Sequence, residues 1–550
     1  MSLRAHLTNA IAEARDRAID RGDLALAAGS DLPPIGLERP AKPEHGDWAS
    51  NVAMQLAPVA RAAPMRIAEA ILASFEPPPS VADVSIAAPG FLNVRLDPGW
   101  VAAQVAPILE AGAAYGRDSV DEPRRINVEF VSANPTGPLH VGNARGAFVG
   151  DVLSRVLSAV GHTVEREYYF NDFGAQVINL GLSVIARRRG TALPEDGYHG
   201  AYVEELAAQL PDDLLAQADE RPDEAGRIVG VWATERVRAG IEASLERLGV
   251  HFDVWKEESS LHDGGWVDRA VEQLRASGHV YEKDGATWFR STDFGDDKDR
   301  VIYRSNGLPT YFASDIGYVT EKLSRGFDEL IYIWGADHHG TVARLRNAAE
   351  AMGFDRDAVR MLLIAWVRFV RDGVEIPMSK RSGEFITLDD VLNEVGVDAA
   401  RWYFSSRAYT TGIDFDLELA KKQSNENPVY YVQYAHARAC SIIRNGADAG
   451  TAPDATRTSE LLRHPAEQAL LRQLLDFPYA VSTAAERRET HEVPRYCYEL
   501  ASAFSAFYRD CKVLTEDEGL SSARLALVDA TRSVLANGLD LLGISAPDTM

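Results

Sequence analysis

The sequence predicts a protein of several domains, in which an α/β domain with a Rossmann-like parallel sheet separates a small α+β domain from an all-α domain. Strand and helix patterns alternate over residues 124–425, whereas no convincing strand pattern follows residue 426. The length of 550 residues is too great for one hydrophobic core, so about three to four domains are expected.

The N-terminal α+β domain is expected to span residues 1–120. Apolar residues at helical spacing predict an amphipathic helix over residues 1–20. Alternating patterns predict strands around residues 81–86 and 91–96, and Pro89 and Gly90 mark a turn between them. A length of about 120 residues is typical of one small domain.

The central α/β domain is predicted over residues 121–425. Its clearest strand patterns are residues 126–131, 163–169, 329–333 and 361–370. An acidic, helix-patterned segment at about 190–275 interrupts them, which predicts an insertion between two halves of the sheet. Residues 426–550 then form the all-α domain.

Composition limits the classes of function. Asp plus Glu number 81 against 57 Lys plus Arg, for a net charge of −24, so a nucleic acid would have to bind at local basic patches. The three cysteines form no Cys-x-x-Cys pair, which predicts no zinc site and suits a reducing compartment. No apolar run has membrane-spanning length, and acidic residues near the start argue against a targeting segment, so we expect a cytoplasmic protein.

A nucleotide site is predicted where the first central strand meets its helix. The strand over residues 125–131 leads into a turn containing Pro135, Gly137 and Pro138, and a helical pattern follows. Backbone N–H groups at such a helix start can face a phosphate. The turn ends in His140-Val-Gly-Asn143, whose Gly142 leaves the backbone open to a nucleotide. A single histidine there would more often be a structural hydrogen-bond donor, but the preceding strand and turn favour function.

A second candidate is the loop that contains Met378, Ser379, Lys380 and Arg381. Two cations with small hydroxyl donors suit a polyphosphate. A solvated basic turn is the alternative when the loop is considered alone.

Three residues favour a cationic ligand. Glu129 lies in an apolar strand, where a carboxylate needs a cation. Tyr311 and Asp315 are four residues apart and share one helical face. Two carboxylates and a phenol suit a guanidinium, although an internal salt bridge to an arginine is the favoured explanation when each residue is considered alone.

The two motifs together resemble those of the class I aminoacyl-tRNA synthetases, which carry His-Ile-Gly-His and Lys-Met-Ser-Lys-Ser. Here they are His140-Val-Gly-Asn143 and Pro377-Met-Ser-Lys-Arg381, so Asn143 and Pro377 depart from the family pattern. The segments Glu129–His140, Trp334–Gly340 and Asn427–Arg438 look like arginyl-tRNA synthetase of the bacterial type. The resemblance runs from about residue 37 to the last residue.

The resemblance implies roles for particular residues. Ser132, Asn134 and His140 would hold the main-chain groups of arginine, and Glu129, Tyr311 and Asp315 its guanidinium, with Asp337 and His338 lining the same pocket. His140, Gly142, Asn143, Met378, Ser379 and Lys380 would bind ATP, and His140, Asn143, Lys380 and Arg381 would act in catalysis. Phe91 and Asn93 would contact the tRNA elbow, and Tyr431, Tyr434 and Met550 the anticodon. The tyrosines could equally belong to a helix core.

The implied activity is that of an arginine–tRNA ligase, which forms arginyl-adenylate from ATP and L-arginine and transfers arginine to the terminal adenosine of tRNA(Arg). Mg²⁺ is expected to accompany ATP without a dedicated protein site, and a monomer is expected. Two alternatives stay open: a synthetase for another amino acid, and a non-catalytic tRNA-binding relative with a decayed site.

Overall fold

The computed structural model describes residues 3–27, 29–40, 42–117, 120–376 and 387–550. The predicted fold class is confirmed: an α+β domain, an α/β domain with a parallel sheet, and a helical C-terminal domain follow one another. Within the described residues, no helix is long and apolar enough to cross a membrane.

The N-terminal domain packs helices against a three-stranded antiparallel sheet of order β1-β3-β2. The predicted first helix is present and buries Leu7, Ile11, Ala14 and Ala18. The elements are α1 (Leu3–Asp20), β1 (Trp48–Ser50), α2 (Val52–Ala60), α3 (Pro64–Ala73), β2 (Val81–Ala87), β3 (Phe91–Leu96), α4 (Pro98–Ala103) and α5 (Val105–Ala111).

The central domain is organised around a five-stranded sheet in which all neighbours are parallel. The order is β11-β10-β4-β5-β6, so the carboxyl ends of all five strands meet at one edge. The strands are β4 (Arg125–Glu129), β5 (Thr163–Phe170), β6 (Val254–Glu257), β10 (Glu329–Gly335) and β11 (Val359–Ile364).

Helices pack against this sheet, and the domain also contains two smaller sheets. The first half of the domain contributes α6 (Ala144–Ala159), α7 (Ala175–Arg189), α8 (Ala201–Gln209), α9 (Asp212–Glu220), α10 (Ala225–Arg247), α11 (Glu258–Asp263) and α12 (Trp266–Ala276). The second half contributes α13 (Tyr311–Ser324), α14 (His339–Ala351), α15 (Leu388–Val395), α16 (Val397–Ser405) and α17 (Leu417–Lys421). The smaller sheets are built from β7 (Val280–Lys283), β8 (Ala286–Phe289), β9 (Arg300–Tyr303), β12 (Val367–Arg371), β13 (Val374–Ile376) and β14 (Ile413–Asp416).

The structure differs from the sequence expectation at two strands. The predicted strand 361–370 is two strands, because the chain leaves the main sheet after Ile364 and β12 pairs with β14 instead. The buried Arg145 donates a hydrogen bond to the carbonyl of Ala365 (2.9 Å), which holds the chain at this break. The predicted insertion at about 190–275 contains β6, a fifth strand of the main sheet that pairs with β5.

Six helices form the C-terminal domain, as expected from the helical patterns after residue 426. They are α18 (Pro428–Asp448), α19 (Thr458–Leu461), α20 (Pro465–Leu475), α21 (Phe477–Arg487), α22 (Glu492–Asp510) and α23 (Glu518–Leu542).

A buried arginine joins this domain to the central one. Arg401 on α16 has no exposed side-chain surface and donates hydrogen bonds to the carbonyls of Leu542 and Leu248, both at 2.6 Å. It also forms an ion pair with Asp151 on α6. One side chain therefore connects the last turn of α23, the end of α10 and the first helix of the parallel-sheet domain.

The N-terminal and C-terminal domains also touch each other directly. Arg472 on α20 donates to Asp47 (2.6 Å), and Arg39 pairs with Asp476. Asn537 on α23 donates to the carbonyl of Gly112 (2.8 Å). These contacts are polar and partly buried, so they fix the orientation of the two domains as well as their proximity.

Candidate active site

A cleft of about 420 Å³ opens at the carboxyl edge of the parallel sheet. It lies where ligands bind in open α/β sheets, outside the strand ends. Its walls come from the segments after β4, β10 and β11 and from the start of α6, and they include Val131, Gly142, Asn143, Trp334 and Trp366. The predicted nucleotide turn therefore forms part of an open cavity.

His140 and Asn143 cap the helix start that faces the cleft. The His140 N–H donates to Asn143 Oδ1 (3.2 Å), and the Gly142 N–H donates to His140 Nδ1 (3.1 Å). This reciprocal arrangement gives the departure from the family motif a structural role, because an asparagine side chain accepts from the N-cap backbone.

The same contacts set the state of the His140 ring. Since Nδ1 accepts a hydrogen bond, the proton of the neutral ring lies on Nε2. Burial lowers the pKa of His140, which favours this neutral form near pH 7. His140 is thus a neutral N–H donor beside the open helix start, suited to a phosphate oxygen.

The loop with Met378, Ser379, Lys380 and Arg381 lies outside the described residues, and its predicted phosphate role stays a prediction. Its C-terminal flank is described and lies beside the first motif. Thr387 forms a β-bridge with His140, and the Leu388 N–H donates to the Leu139 carbonyl (3.0 Å). The segment that follows the second motif in the sequence therefore lies beside the first motif, although more than two hundred residues separate them along the chain.

The chain turns sharply after β4, and both turn residues adopt a left-handed backbone. Val131 has φ 67° and Ser132 has φ 41°, a conformation that costs a β-branched residue about 1–3 kcal/mol. Such strain persists only where surrounding contacts hold it. Here Ala133 exchanges two 3.0 Å hydrogen bonds with the Tyr168 hydroxyl, and the Ser132 Oγ accepts from the Tyr169 N–H (3.1 Å).

Glu129 is buried and already has a cation. The Lys322 ammonium on α13 lies 2.6 Å from Glu129 Oε2, and the Ser132 hydroxyl donates to Oε1 (3.2 Å). The internal salt bridge considered in the sequence analysis is therefore present, with a lysine in place of an arginine. Glu129 therefore borders the predicted pocket with its negative charge already balanced by Lys322.

Asp315, in contrast, faces other carboxylates. It lies one turn after the start of α13, near Glu129 and Glu258, and no described residue forms a salt bridge with it. Burial, together with these two negative charges, raises the pKa of Asp315 to about 7. A carboxyl in this state gains strongly from a ligand that brings a positive charge.

The other predicted arginine residues are more open. Tyr311 starts α13 and is 78% exposed, so its hydroxyl is not enclosed in a pocket. Asp337 and His338 follow β10 at the same sheet edge, and both side chains are exposed. Asn134 is exposed on the turn after β4. Of these four residues, only Asp337 lines the cleft, and the four do not form a closed site.

The predicted anticodon tyrosines lie on α18 and are half-buried. The Tyr431 hydroxyl donates to Ser505 (3.0 Å), and its ring packs on Tyr498. Arg438 donates to the Tyr434 hydroxyl (2.8 Å) and stacks over the rings of Tyr434 and Tyr508.

The rings of Tyr431 and Tyr434 pack on the domain and also border solvent, so both are partly core residues, and their contact with the anticodon stays a prediction. Tyr498 and Tyr508 are exposed, and Met550 is half exposed at the end of the chain. Aromatic rings beside an arginine form a surface on which bases can stack.

In the N-terminal domain, Asn93 is buried within β3 and Phe91 is half-buried at its start. Phe91 is therefore the more accessible of the two predicted elbow contacts.

Several functional candidates were missed by the sequence analysis. Lys322 lies seven residues after Asp315, on the same face of α13, and that spacing was its one available signal. Glu258 begins α11 beyond the edge strand β6, and Arg145 is a buried cation on α6. The partners of these residues lie in distant segments of the chain, and no local sequence pattern predicts such contacts.

Three family models match consecutive parts of the chain. The arginyl-tRNA synthetase N-terminal domain matches residues 1–96, and the class I (R) tRNA synthetase catalytic domain matches residues 104–190 and 226–406. The DALR anticodon-binding domain matches residues 432–550. With the parallel sheet and its motif-bearing cleft, these matches define a class I aminoacyl-tRNA synthetase with an anticodon-binding domain.

Full-length relatives narrow this class. The chain is 46% identical to the arginine–tRNA ligase of Desulforudis audaxviator, with 100% of this chain and 99% of the relative covered. It is 45% identical to that of Bacillus licheniformis, with 96% of both chains covered. The arginyl-tRNA synthetase structure of Thermus thermophilus superposes with a TM-score of 0.79 at 26% identity over 100% of both chains. The chain belongs to the arginyl-tRNA synthetase family.

Proposed function

We propose that this arginyl-tRNA synthetase forms arginyl-adenylate in the cleft at the carboxyl edge of the sheet, with Asp315 as the carboxylate for the guanidinium. The observation that carries the assignment is the state of Asp315, a half-buried carboxyl beside two other carboxylates that has no salt-bridge partner among the described residues. The arginine side chain would supply the missing charge. Glu129 would contribute through its orientation, since Lys322 balances its charge.

The main-chain groups of arginine would lie on Ser132, Asn134 and His140, at the mouth of the same cleft. The arginine carboxylate itself attacks the α-phosphate of ATP, so no side chain has to act as a nucleophile. Positioning and charge stabilisation then supply the catalysis. The neutral His140 would donate from Nε2 to the α-phosphate, while Lys380 and Arg381 would neutralise the departing pyrophosphate. Mg²⁺ would accompany the ATP phosphates.

Specificity follows from the geometry of the charge. A guanidinium presents a planar fork of donors to a carboxylate, which the ammonium of lysine cannot reproduce. A neutral analogue such as citrulline would leave Asp315 without its cation. Tyr311, Asp337 and His338 are exposed in the free protein and would close on the bound side chain.

The tRNA would be held at two further places. Phe91 would contact the elbow, and the surface around Tyr431, Tyr434 and Met550 would stack on anticodon bases. A monomer working in the cytoplasm fits this arrangement, because both tRNA-binding domains belong to one chain.

Arginine activation is expected to need bound tRNA. Pro377 stands where family members carry the first lysine of the second motif, so the phosphate-binding loop has one cation fewer. ATP–pyrophosphate exchange should therefore be negligible with arginine alone and should appear when tRNA(Arg) is added. Exchange assays with each amino acid, with and without total tRNA, test both the requirement and the substrate. Exchange with arginine in the absence of tRNA would contradict the requirement, and exchange with another amino acid would contradict the substrate.

Arginine affinity is expected to fall in acid. Because the pKa of Asp315 is raised to about 7 in the free protein, a growing fraction of Asp315 is protonated as the pH falls below 7. Arginine binds the ionised form, so its KM should be about tenfold higher at pH 6 than on the plateau above pH 8, since each pH unit below the pKa is a factor of ten. Steady-state arginylation over pH 6 to 8.5 measures this. Asp315→Asn should have a high and pH-independent KM, and an unchanged profile in that variant would assign the titration elsewhere.

A further inference from the structure

Lys322 is a buried ammonium at the base of the proposed arginine pocket. Its side chain has 0% exposure, and its Nζ lies 2.6 Å from Glu129 Oε2 and 3.8 Å from Glu167 Oε1. The rings of Tyr318 and Tyr332 lie 4.3 Å and 4.2 Å from the same nitrogen. A cation without water remains charged only when such partners surround it.

A continuous chain of contacts leads from Lys322 to the strained turn. Glu129 accepts from Lys322 at one oxygen and from the Ser132 hydroxyl at the other (3.2 Å). The Ser132 Oγ in turn accepts from the backbone N–H of Tyr169 on β5 (3.1 Å). One end of this chain is a helix and the other is the sheet, so Glu129 and Ser132 are held from both sides.

The turn requires such support. Val131 and Ser132 both have positive φ, and valine strongly disfavours this region. Both residues would relax to extended backbone if their anchors were lost. Relaxation would move Ser132 and Asn134, which with His140 are proposed to receive the main-chain groups of arginine.

We propose that Lys322 is a positioning residue for arginine: by holding Glu129, it keeps Ser132 and the left-handed turn in the conformation that presents Ser132 and Asn134 to the amino acid. The inference rests on the proposed arginine site. Glu129 and Asp315 then have different roles. Glu129 links Lys322 to the turn and so fixes the conformation of the turn, whereas Asp315 forms the ion pair with the guanidinium of arginine.

The test compares Lys322→Met with Lys256→Met in the intact enzyme with tRNA. Lys256 is a matched control, because its ammonium also pairs with a buried carboxylate, Glu321 (3.1 Å), and has no contact with Glu129. Lys322→Met should raise the KM for arginine about tenfold or more and change the KM for ATP by less than about threefold. Lys256→Met should leave both KM values unchanged. An arginine KM unaffected by Lys322→Met would overturn the proposal.

A double variant separates positioning from stability. Removing Lys322 alone leaves Glu129 as a buried charge without its cation, which destabilises the fold. Glu129→Gln combined with Lys322→Met removes both charges and should recover thermal stability, while the arginine KM stays high because the turn has lost its anchor. Recovery of stability and arginine KM together would show a purely structural role and overturn the proposal. This double variant also serves if Lys322→Met does not fold.

Ser132 supplies an independent check. If Lys322 acts through the turn, the effect of Lys322→Met on arginine KM should be much smaller in a Ser132→Ala background than in the wild type. If the effects of Lys322→Met and Ser132→Ala on arginine KM were additive, the proposal would be overturned.

Asp315→Ala separates a failure of this inference from a failure of the proposed arginine site. Normal arginine binding by Asp315→Ala would refute the arginine site itself. If Asp315→Ala impairs binding and Lys322→Met does not, only the present inference fails.

Discussion

Replacing Asp315 with alanine should raise the KM for arginine about a hundredfold and change the KM for ATP by less than about threefold. Truncating one member of a desolvated charge pair costs about 2–5 kcal/mol, and a hundredfold corresponds to about 2.8 kcal/mol. The guanidinium would lose its main counter-charge, since the charge of Glu129 is balanced by Lys322. Arginylation kinetics with arginine and ATP varied separately measure the effect.

Glu272→Ala is the matched control for this experiment. Glu272 is an exposed carboxylate on α12, the helix that packs against α13, and its removal should leave both KM values unchanged. Asp315→Asn adds a second comparison, since it removes the charge and keeps the shape. Equal increases of the arginine and ATP KM values in Asp315→Ala would mean that the variant disturbs the cleft as a whole, which would contradict a specific guanidinium contact.

Replacing Arg401 with methionine should destabilise the protein by about 3–5 kcal/mol, the usual cost of breaking a buried ion pair from one side. The carbonyls of Leu248 and Leu542 would lose their donor, and Asp151 would retain Arg155 at 2.8 Å as its nearest cation. Because three segments meet at Arg401, we expect the C-terminal domain of the variant to separate from the central domain before the rest of the protein unfolds. Thermal and urea unfolding, followed by probes in each domain, measure this.

Arg457→Met provides the comparison for Arg401. Arg457 pairs with Glu460 at the surface, and exposed pairs contribute about 0–1 kcal/mol. If Arg401→Met lowered the free energy of unfolding by less than about 1 kcal/mol, water would be replacing the guanidinium. The three segments would then be held together by other contacts.

Much of the architecture could be predicted from the sequence, because a helix or strand with a buried face has apolar residues at regular intervals. The apolar runs of β4 and β10 and the helical spacing of α1 and of the C-terminal helices identified these elements. β6 escaped prediction because Val254–Glu257 is short, half-buried and half charged, as an edge strand can be. The break at Ala365 escaped because a buried partner, Arg145, fixes it from another helix.

The site was predictable in part for a similar reason. His140 and Asn143 lie in one strand–turn–helix pattern, and Asp315 shares a helical face with Tyr311, so local sequence was enough to propose these residues. The pairing of Glu129 with Lys322 links residues 193 positions apart, which only the fold brings together. The left-handed turn at Val131 and Ser132 contradicts local preference, because valine favours extended backbone. Functional sites are where such conflicts between local and tertiary preferences are expected.

The direct contact between the N-terminal and C-terminal domains has a consequence for the choice of tRNA. Arg472, Arg39 and Asn537 hold together the two domains that are proposed to contact the elbow and the anticodon. The span between those proposed contacts would then be a fixed length that an incoming tRNA has to match. A tRNA whose elbow and anticodon lie at a different separation could satisfy one domain but not both. The enzyme would thus discriminate among RNAs by their overall shape as well as by their sequence.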